Sequence, residues 1–106
     1  MVLLPFHGLI RYKNDIMCYT EAVCFFEKHE MENALEILNR LIIQNQADIK
    51  VLLLRGRIFY KMQRWGDAMN DFNAVLDLDS NNQEAQAGIE MAKNILGYFN
   101  PEMFNP

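Results

Sequence analysis

A few residues in this chain have types and spacings that could support chemistry. Asp67 and Asp71 stand four apart, and Glu32 and Glu36 fall at nearly the equivalent place in an earlier stretch. Paired carboxylates can divide general acid and general base duties between them. Cys18 and Cys24 are six apart, and His7 and His29 are the two histidines. Arg57, with Tyr60 three residues on, could clamp a carboxylate through two parallel N–H donors and stack on the ring. Lys50 and Lys61 flank the same stretch and could raise its potential.

Most of these sets have a plainer reading. The carboxylate pairs sit on polar helical faces with no pocket implied, so they read as solvated charge. A spacing of six is neither a redox pair nor a zinc half-site. On one helix, at ~100° per residue, the two thiols would lie ~240° apart, too far round to bond. They read as two buried reduced thiols, which suits a reducing compartment. No Cys/His/Asp cluster accompanies either histidine, and His29 falls in a turn. The glycines, at 8, 56, 66, 88 and 97, are scattered and form no phosphate loop. Ser80, Thr20 and the two cysteines are the whole supply of Ser, Thr and Cys nucleophiles. The expectation is a chain with no catalytic, cofactor-binding or metal-binding residues, and not an enzyme.

The chain has 106 residues, 51% hydrophobic and 23% charged, with a net charge of −4. That suits one small globular domain and disfavours a non-specific grip on nucleic acid or an anionic membrane. Met1 to Ile10 is apolar but lacks a basic lead and is broken by Pro5 and Gly8, a poor signal peptide. No apolar run approaches the ~20 residues that span a bilayer. A soluble, cytoplasmic protein is expected.

The elements that position these residues are helices. Proline occurs only at 5, 101 and 106, so nothing between breaks a helix outright. Apolar residues recur at three and four: Ala34, Leu35, Leu38, Leu41 and Ile42 form one stripe, and Ala68, Met69, Phe72, Val75 and Leu76 another. Asn14-Asp15 can cap a helix running to about residue 28. Lys28-His29-Glu30 reads as a tight turn, and a second helix runs to about 43. Asn45-Gln46-Ala47-Asp48 is a polar break with Asp48 as N-cap. A third helix runs to about 62, a turn follows at Gln63-Arg64, and a fourth runs from about 65 to 78. After Asp79-Ser80-Asn81-Asn82 a fifth runs from about 83 to 98, stopped at Asn100-Pro101.

These breaks recur every 34 residues without a gap: Ala22 with Gly56, Phe25 with Phe59, Phe26 with Tyr60, Met31 with Trp65, Ala34 with Ala68, Leu38 with Phe72, Leu41 with Val75, Ile42 with Leu76. Small residues at 22/56 and 34/68 let helices approach, and large ones at 25/59 and 38/72 fill the space between. One such hairpin cannot bury its faces alone, so stacking is required.

Residues 49–82 resemble a tetratricopeptide repeat (TPR) through Leu52, Gly56, Phe59, Trp65, Ala68, Phe72 and the closing Val75-Leu76-Asp77-Leu78-Asp79. Ser80 stands where that family often has proline, and Arg55 where it often has leucine. Residues 15–48 match more weakly, through Ala22, Phe25, Ala34, Leu38 and Leu41. Residues 83–99 resemble the family's capping helix, leaving 1–14 as an N-terminal extension and 100–106 as a tail. The ending, with Tyr98, Phe99 and Phe104, is similar to small stand-alone bacterial members. The resemblance implies an all-α fold, a short α-solenoid of two hairpins plus a cap, and protein or peptide binding. Two repeats is fewer than the ~3 such arrays need for stability; the cap, residues 1–14 or self-association would supply the rest.

In this family the first helix of each hairpin lines a concave groove. Beside the core stripe 18/22/25 and 52/56/59 runs a second line: Tyr19, Val23 and Phe26, then Leu53, Arg57 and Tyr60. With Lys50 and Lys61 these form the candidate groove. The two stripes cover ~200° of helix against the ~100° a surface helix needs, and nine of the eleven residues from Ile16 to Phe26 are apolar. A neighbouring repeat, a partner segment, or the chain's own Met1–Phe6 or Met103-Phe104 could cover that surface. The Lys/Asn set with which some members grip chaperone C-termini is absent, with Tyr19 and Val23 in its place. The expected partner is a protein or peptide with apolar anchors and one carboxylate, with no nucleic acid and no membrane. The rivals are self-assembly through the apolar open end of the first hairpin, and a helical-hairpin RNA reader, which the 34-residue period and acidic balance oppose.

Overall fold

The computed structural model describes residues 18–44 and 48–99, with side-chain burial given as far as residue 97. The expectations for residues 1–14, His7, Asn14-Asp15, Asn45 to Ala47 and 100–106 lie outside the described residues. Among the described residues there are five helices and no strand: α1 (described over 18–27), α2 Met31–Ile43, α3 Ile49–Lys61, α4 Trp65–Leu78 and α5 Gln83–Phe99. The all-helical reading holds, and the described ends fall within a residue of those read from the periodicity. The helices fall into two compact units that divide ahead of Asp48.

The 34-residue period extends to individual hydrogen bonds. In the first hairpin, the His29 N–H donates to the Phe26 carbonyl (3.0 Å) and the Glu30 N–H to Phe25 (2.8 Å). In the second, Gln63 donates to Tyr60 (3.0 Å) and Arg64 to Phe59 (2.8 Å). This is the paired bonding of a Schellman C-cap, which satisfies carbonyls the helix end leaves open. It requires a left-handed residue, and His29 and Gln63 both sit at φ 64°. The helix starts match too. The Asp48 side chain accepts from the Val51 N–H (3.0 Å) and the Asn82 side chain from the Ala85 N–H (2.9 Å).

In the second unit α4 packs on α3 and on α5. Phe72 is buried at the centre, clasped by two glycines. A Cβ added at Gly56 on α3 would stand 2.6 Å from Phe72 Cε1, and one at Gly88 on α5 would stand 2.5 Å from Cε2. The ring meets helix backbone on opposite edges, so it fills the space two side chains would otherwise take.

α3 is buried over more of its surface than its repeat stripe suggests. Besides Leu52, Gly56 and Phe59, the line Val51, Leu54 and Ile58 is buried. At ~100° per residue these two lines span ~200°, and Arg55 sits between them. Its guanidinium is satisfied by Asp71 on α4: Nε donates to Oδ2 and Nη2 to Oδ1, both at 2.8 Å. Asp71 is only 4% exposed. The reading of Asp67 and Asp71 as a solvated pair is therefore corrected at Asp71, which is buried because a planar fork of donors reaches it. Asp67 pairs instead with Arg64 one turn back. Arg64 and Arg55 each place a guanidinium over the Phe59 ring, at 4.7 and 5.5 Å from its centroid.

In the first unit Ala22, Ala34 and Leu38 have no exposed surface, and Cys18, Ile37 and Leu41 are buried with them. Phe25, Leu35 and Ile42 are half-buried. The two cysteines are free thiols, but only Cys18 is buried. Cys24 is exposed, which corrects the reading of two buried thiols. The angle that keeps them from pairing also puts them on different faces of α1. Glu32 and Glu36 are exposed, as solvated charge should be. No described helix is long and apolar enough to cross a membrane.

Candidate binding groove

The line Leu53, Arg57 and Tyr60 lies on the side of α3 away from both buried stripes. Leu53 and Tyr60 are half-buried, and Arg57, Lys50 and Lys61 are exposed. Arg57, Tyr60 and Lys61 come together with Phe72 of α4 and with Glu84, Ala87, Gly88 and Met91 of α5 around a cavity of about 230 Å³. Lys50 and Leu53 share the face but do not line this cavity. Tyr19, Val23 and Phe26 are half-buried on α1, in the other unit.

The interior of the cavity is apolar, formed by Phe72 together with Ala87, Gly88 and Met91 of α5. Met91, 48% exposed, forms a flexible lip. Charge is confined to the rim. Arg57 Nε donates to Glu84 Oε2 in an ion pair that ties α3 to the first turn of α5. Glu84 also suits a helix N-terminus, where an anion meets the positive end of the dipole. The carboxylate that Arg57 holds is thus the chain's own. Tyr60 meets Trp65 edge to face, with centroids 5.0 Å apart and planes at 74°. Trp65 is half-buried at the start of α4.

Sequence reasoning found the α3 side of the cavity and missed the α5 side. Glu84, Ala87, Gly88 and Met91 were read only as part of a closing helix. One signal was available. Gly88 falls 34 residues after Leu54, so a small residue stands one period after a buried leucine. Among the described residues, no group of three His, Cys, Asp or Glu could hold a metal ion.

The arrangement is similar to that of tetratricopeptide-repeat proteins. The second TPR domain of Spaghetti (RPAP3), solved with the HSP90 peptide SRMEEVD, superposes with a TM-score of 0.74 over 89% of this chain and 87% of that one, at 23% identity. The described fold is a tetratricopeptide-repeat fold. Among curated relatives, a Caenorhabditis briggsae tetratricopeptide repeat protein 21 homolog is 28% identical over 76 residues, 72% of this chain. Human tetratricopeptide repeat protein 16 is 34% identical over 55 residues, 52% of this chain. The chain spans only 6% of the length of each of these two relatives. No family model matches it. The tetratricopeptide resemblance read from Leu52, Gly56, Phe59, Ala68 and Phe72 therefore agrees with relatives in sequence and with a neighbour in structure.

Proposed function

We propose that this chain is a non-catalytic protein-binding module that seats a partner segment against α3 and α5. The observation that carries this is the apolar cavity rimmed by Arg57, Tyr60 and Lys61. Arg57 and Tyr60, singled out for their spacing on α3, and the flanking Lys61 line it together with Phe72 and α5. At about 230 Å³ the cavity falls below the ~300–1,000 Å³ of small-molecule sites and suits one bulky side chain of a peptide. The structural neighbour, solved with a peptide bound, supports the same use of the fold. Binding energy would come from burying an apolar anchor, with the rim charges setting orientation. Leu53 and Lys50 extend the contact along α3, while Tyr19, Val23 and Phe26 offer α1's own line.

α5 is proposed as the cap of the hairpin before it. One period after Leu52, Gly56 and Phe59 it carries Gln86, Glu90 and Lys93, all exposed. The face that would receive another helix is thereby polar, while Ala85 and Ala92 are buried.

The test is the affinity of a captured partner's minimal peptide for wild type and for the Arg57→Glu, Tyr60→Ala double variant, with helicity checked by circular dichroism. Weakening by tenfold or more is expected. Equal affinity for a folded double variant refutes the groove. Self-association is the second reading, favoured by Tyr19, Val23, Phe25 and Phe26 all staying partly exposed on α1. It predicts a sedimentation coefficient that rises with concentration, where the binding-module reading predicts a constant one.

A further inference from the structure

Among the described residues there are four methionines, and they differ in exposure. Met31, Met62 and Met69 are half-buried, while Met91 on α5 is 48% exposed. Met91 also lines the cavity, where Tyr60, Phe72, Ala87 and Gly88 give the rest of an apolar wall. The side chain thus stands both at the apolar opening and within reach of solvent. A thioether so placed is open to small oxidants, and its product, a sulfoxide, is polar.

We propose that Met91 is a redox-sensitive modification site, at which hydrogen peroxide converts the thioether to a sulfoxide and weakens apolar binding in the α3–α5 groove. The inference rests on that groove being the binding site. The sulfur lone pair attacks one peroxide oxygen, and the S–O bond forms as the O–O bond breaks. Sulfur loses two electrons, the peroxide gains them, and the second oxygen leaves as water. The consequence differs between the empty and the occupied groove. In the empty groove the new oxygen is hydrated at an exposed position, so folding is little affected. With an apolar anchor seated, the same oxygen sheds that water, and the anchor offers it no donor. A polar group left unsatisfied in this way corresponds to a loss of about fivefold or more in affinity.

The test uses the full chain, with the fluorescent apolar dye 8-anilinonaphthalene-1-sulfonate as probe. Limited hydrogen peroxide treatment followed by peptide mass spectrometry reads the order of oxidation, and Met91 should react ahead of Met31, Met62 and Met69. Treated wild type should bind the dye about fivefold or more weakly, with unchanged helicity by circular dichroism. Methionine sulfoxide reductases for both epimers, with dithiothreitol as reductant, should restore binding. Met91→Leu retains Cys24 and the other methionines, so it should bind the dye and lose nothing on treatment. Met91→Gln should bind weakly before any treatment. A Met91 that reacts no faster than the half-buried three overturns the inference, as does an equal loss in treated Met91→Leu. So does a folded sulfoxide form that binds as the thioether does because Arg57 or Lys61 donates to its oxygen. These outcomes leave the groove standing, provided Tyr60→Ala weakens dye binding by untreated protein. If folded Tyr60→Ala binds the dye as wild type does, or wild type binds none, the groove reading fails and this inference with it.

Discussion

Replacing Gly88 with alanine adds one methyl group to the face of α5 that meets Phe72. On an exposed helix the change would stabilise the chain by ~1 kcal/mol, because glycine is the poorer helix former. Here the new carbon would sit 2.5 Å from Phe72 Cε2, with Cδ2 and Cζ both at 2.8 Å. The ring cannot slide away, because Gly56 meets its other edge and a Cβ there would already be 2.6 Å from Cε1. Either α5 moves off or the ring leaves its rotamer, and overpacking of this kind costs ~1–3 kcal/mol. The net expectation is a loss of up to about 2 kcal/mol, from overpacking less the propensity gain. Urea denaturation followed by circular dichroism would read this. Gly66→Ala is the control, since nothing lies within 4 Å of its added carbon and it should be neutral or stabilising. Phe72→Leu combined with Gly88→Ala should cost less than the two singles added together, with ~0.5–3 kcal/mol of coupling. If Gly88→Ala stabilises as Gly66→Ala does, Phe72 is not clasped and the packing argument is wrong.

Three further outcomes are expected from the same assay. Asp71→Ala leaves the Arg55 guanidinium mostly buried without its carboxylate and should cost ~2–4 kcal/mol, whereas Arg55→Met with Asp71→Leu should recover most of that loss. Gln63→Gly at the left-handed turn position should gain ~0.5–1 kcal/mol, and His29→Gly should show the same sign, because the side chain is what that backbone disfavours. Asp48→Ala and Asn82→Ala should each lose ~1 kcal/mol, and similar losses would show that the two equivalent caps act alike.

Helix ends were legible because turn and cap residues are local. Asp48 needs only the N–H groups of its own first turn, and the left-handed turn is closed by bonds within six residues. The two glycines at Phe72 were only half legible. Gly56 stood out by alignment with Ala22, but Gly88 aligns with Leu54, and a small residue opposite a large one looks like noise until the ring between them is seen. The Arg55–Asp71 pair joins two helices 16 residues apart, beyond the reach of spacing rules within one helix. The second buried line of α3 was hidden because Val51 to Leu54 is apolar without a break, so periodicity has nothing to contrast. On the candidate groove, Arg57, Tyr60 and Lys61 were found from their helical face. The Glu84 that occupies Arg57 comes from an element whose contribution the repeat pattern did not mark.

α3 divides its circumference between two kinds of position. Six of its thirteen residues are buried, and Arg55 is tied to Asp71 among them. Leu53, Arg57 and Tyr60 stand outside that set. Substitutions on the first arc should change stability, while, on the proposed groove, those on the second should change what the chain can hold at a smaller cost to folding. A randomised library at 53, 57, 60 and 84 should consequently return mostly folded proteins with different ligands, which makes this short helix pair a ready starting point for selecting new binders.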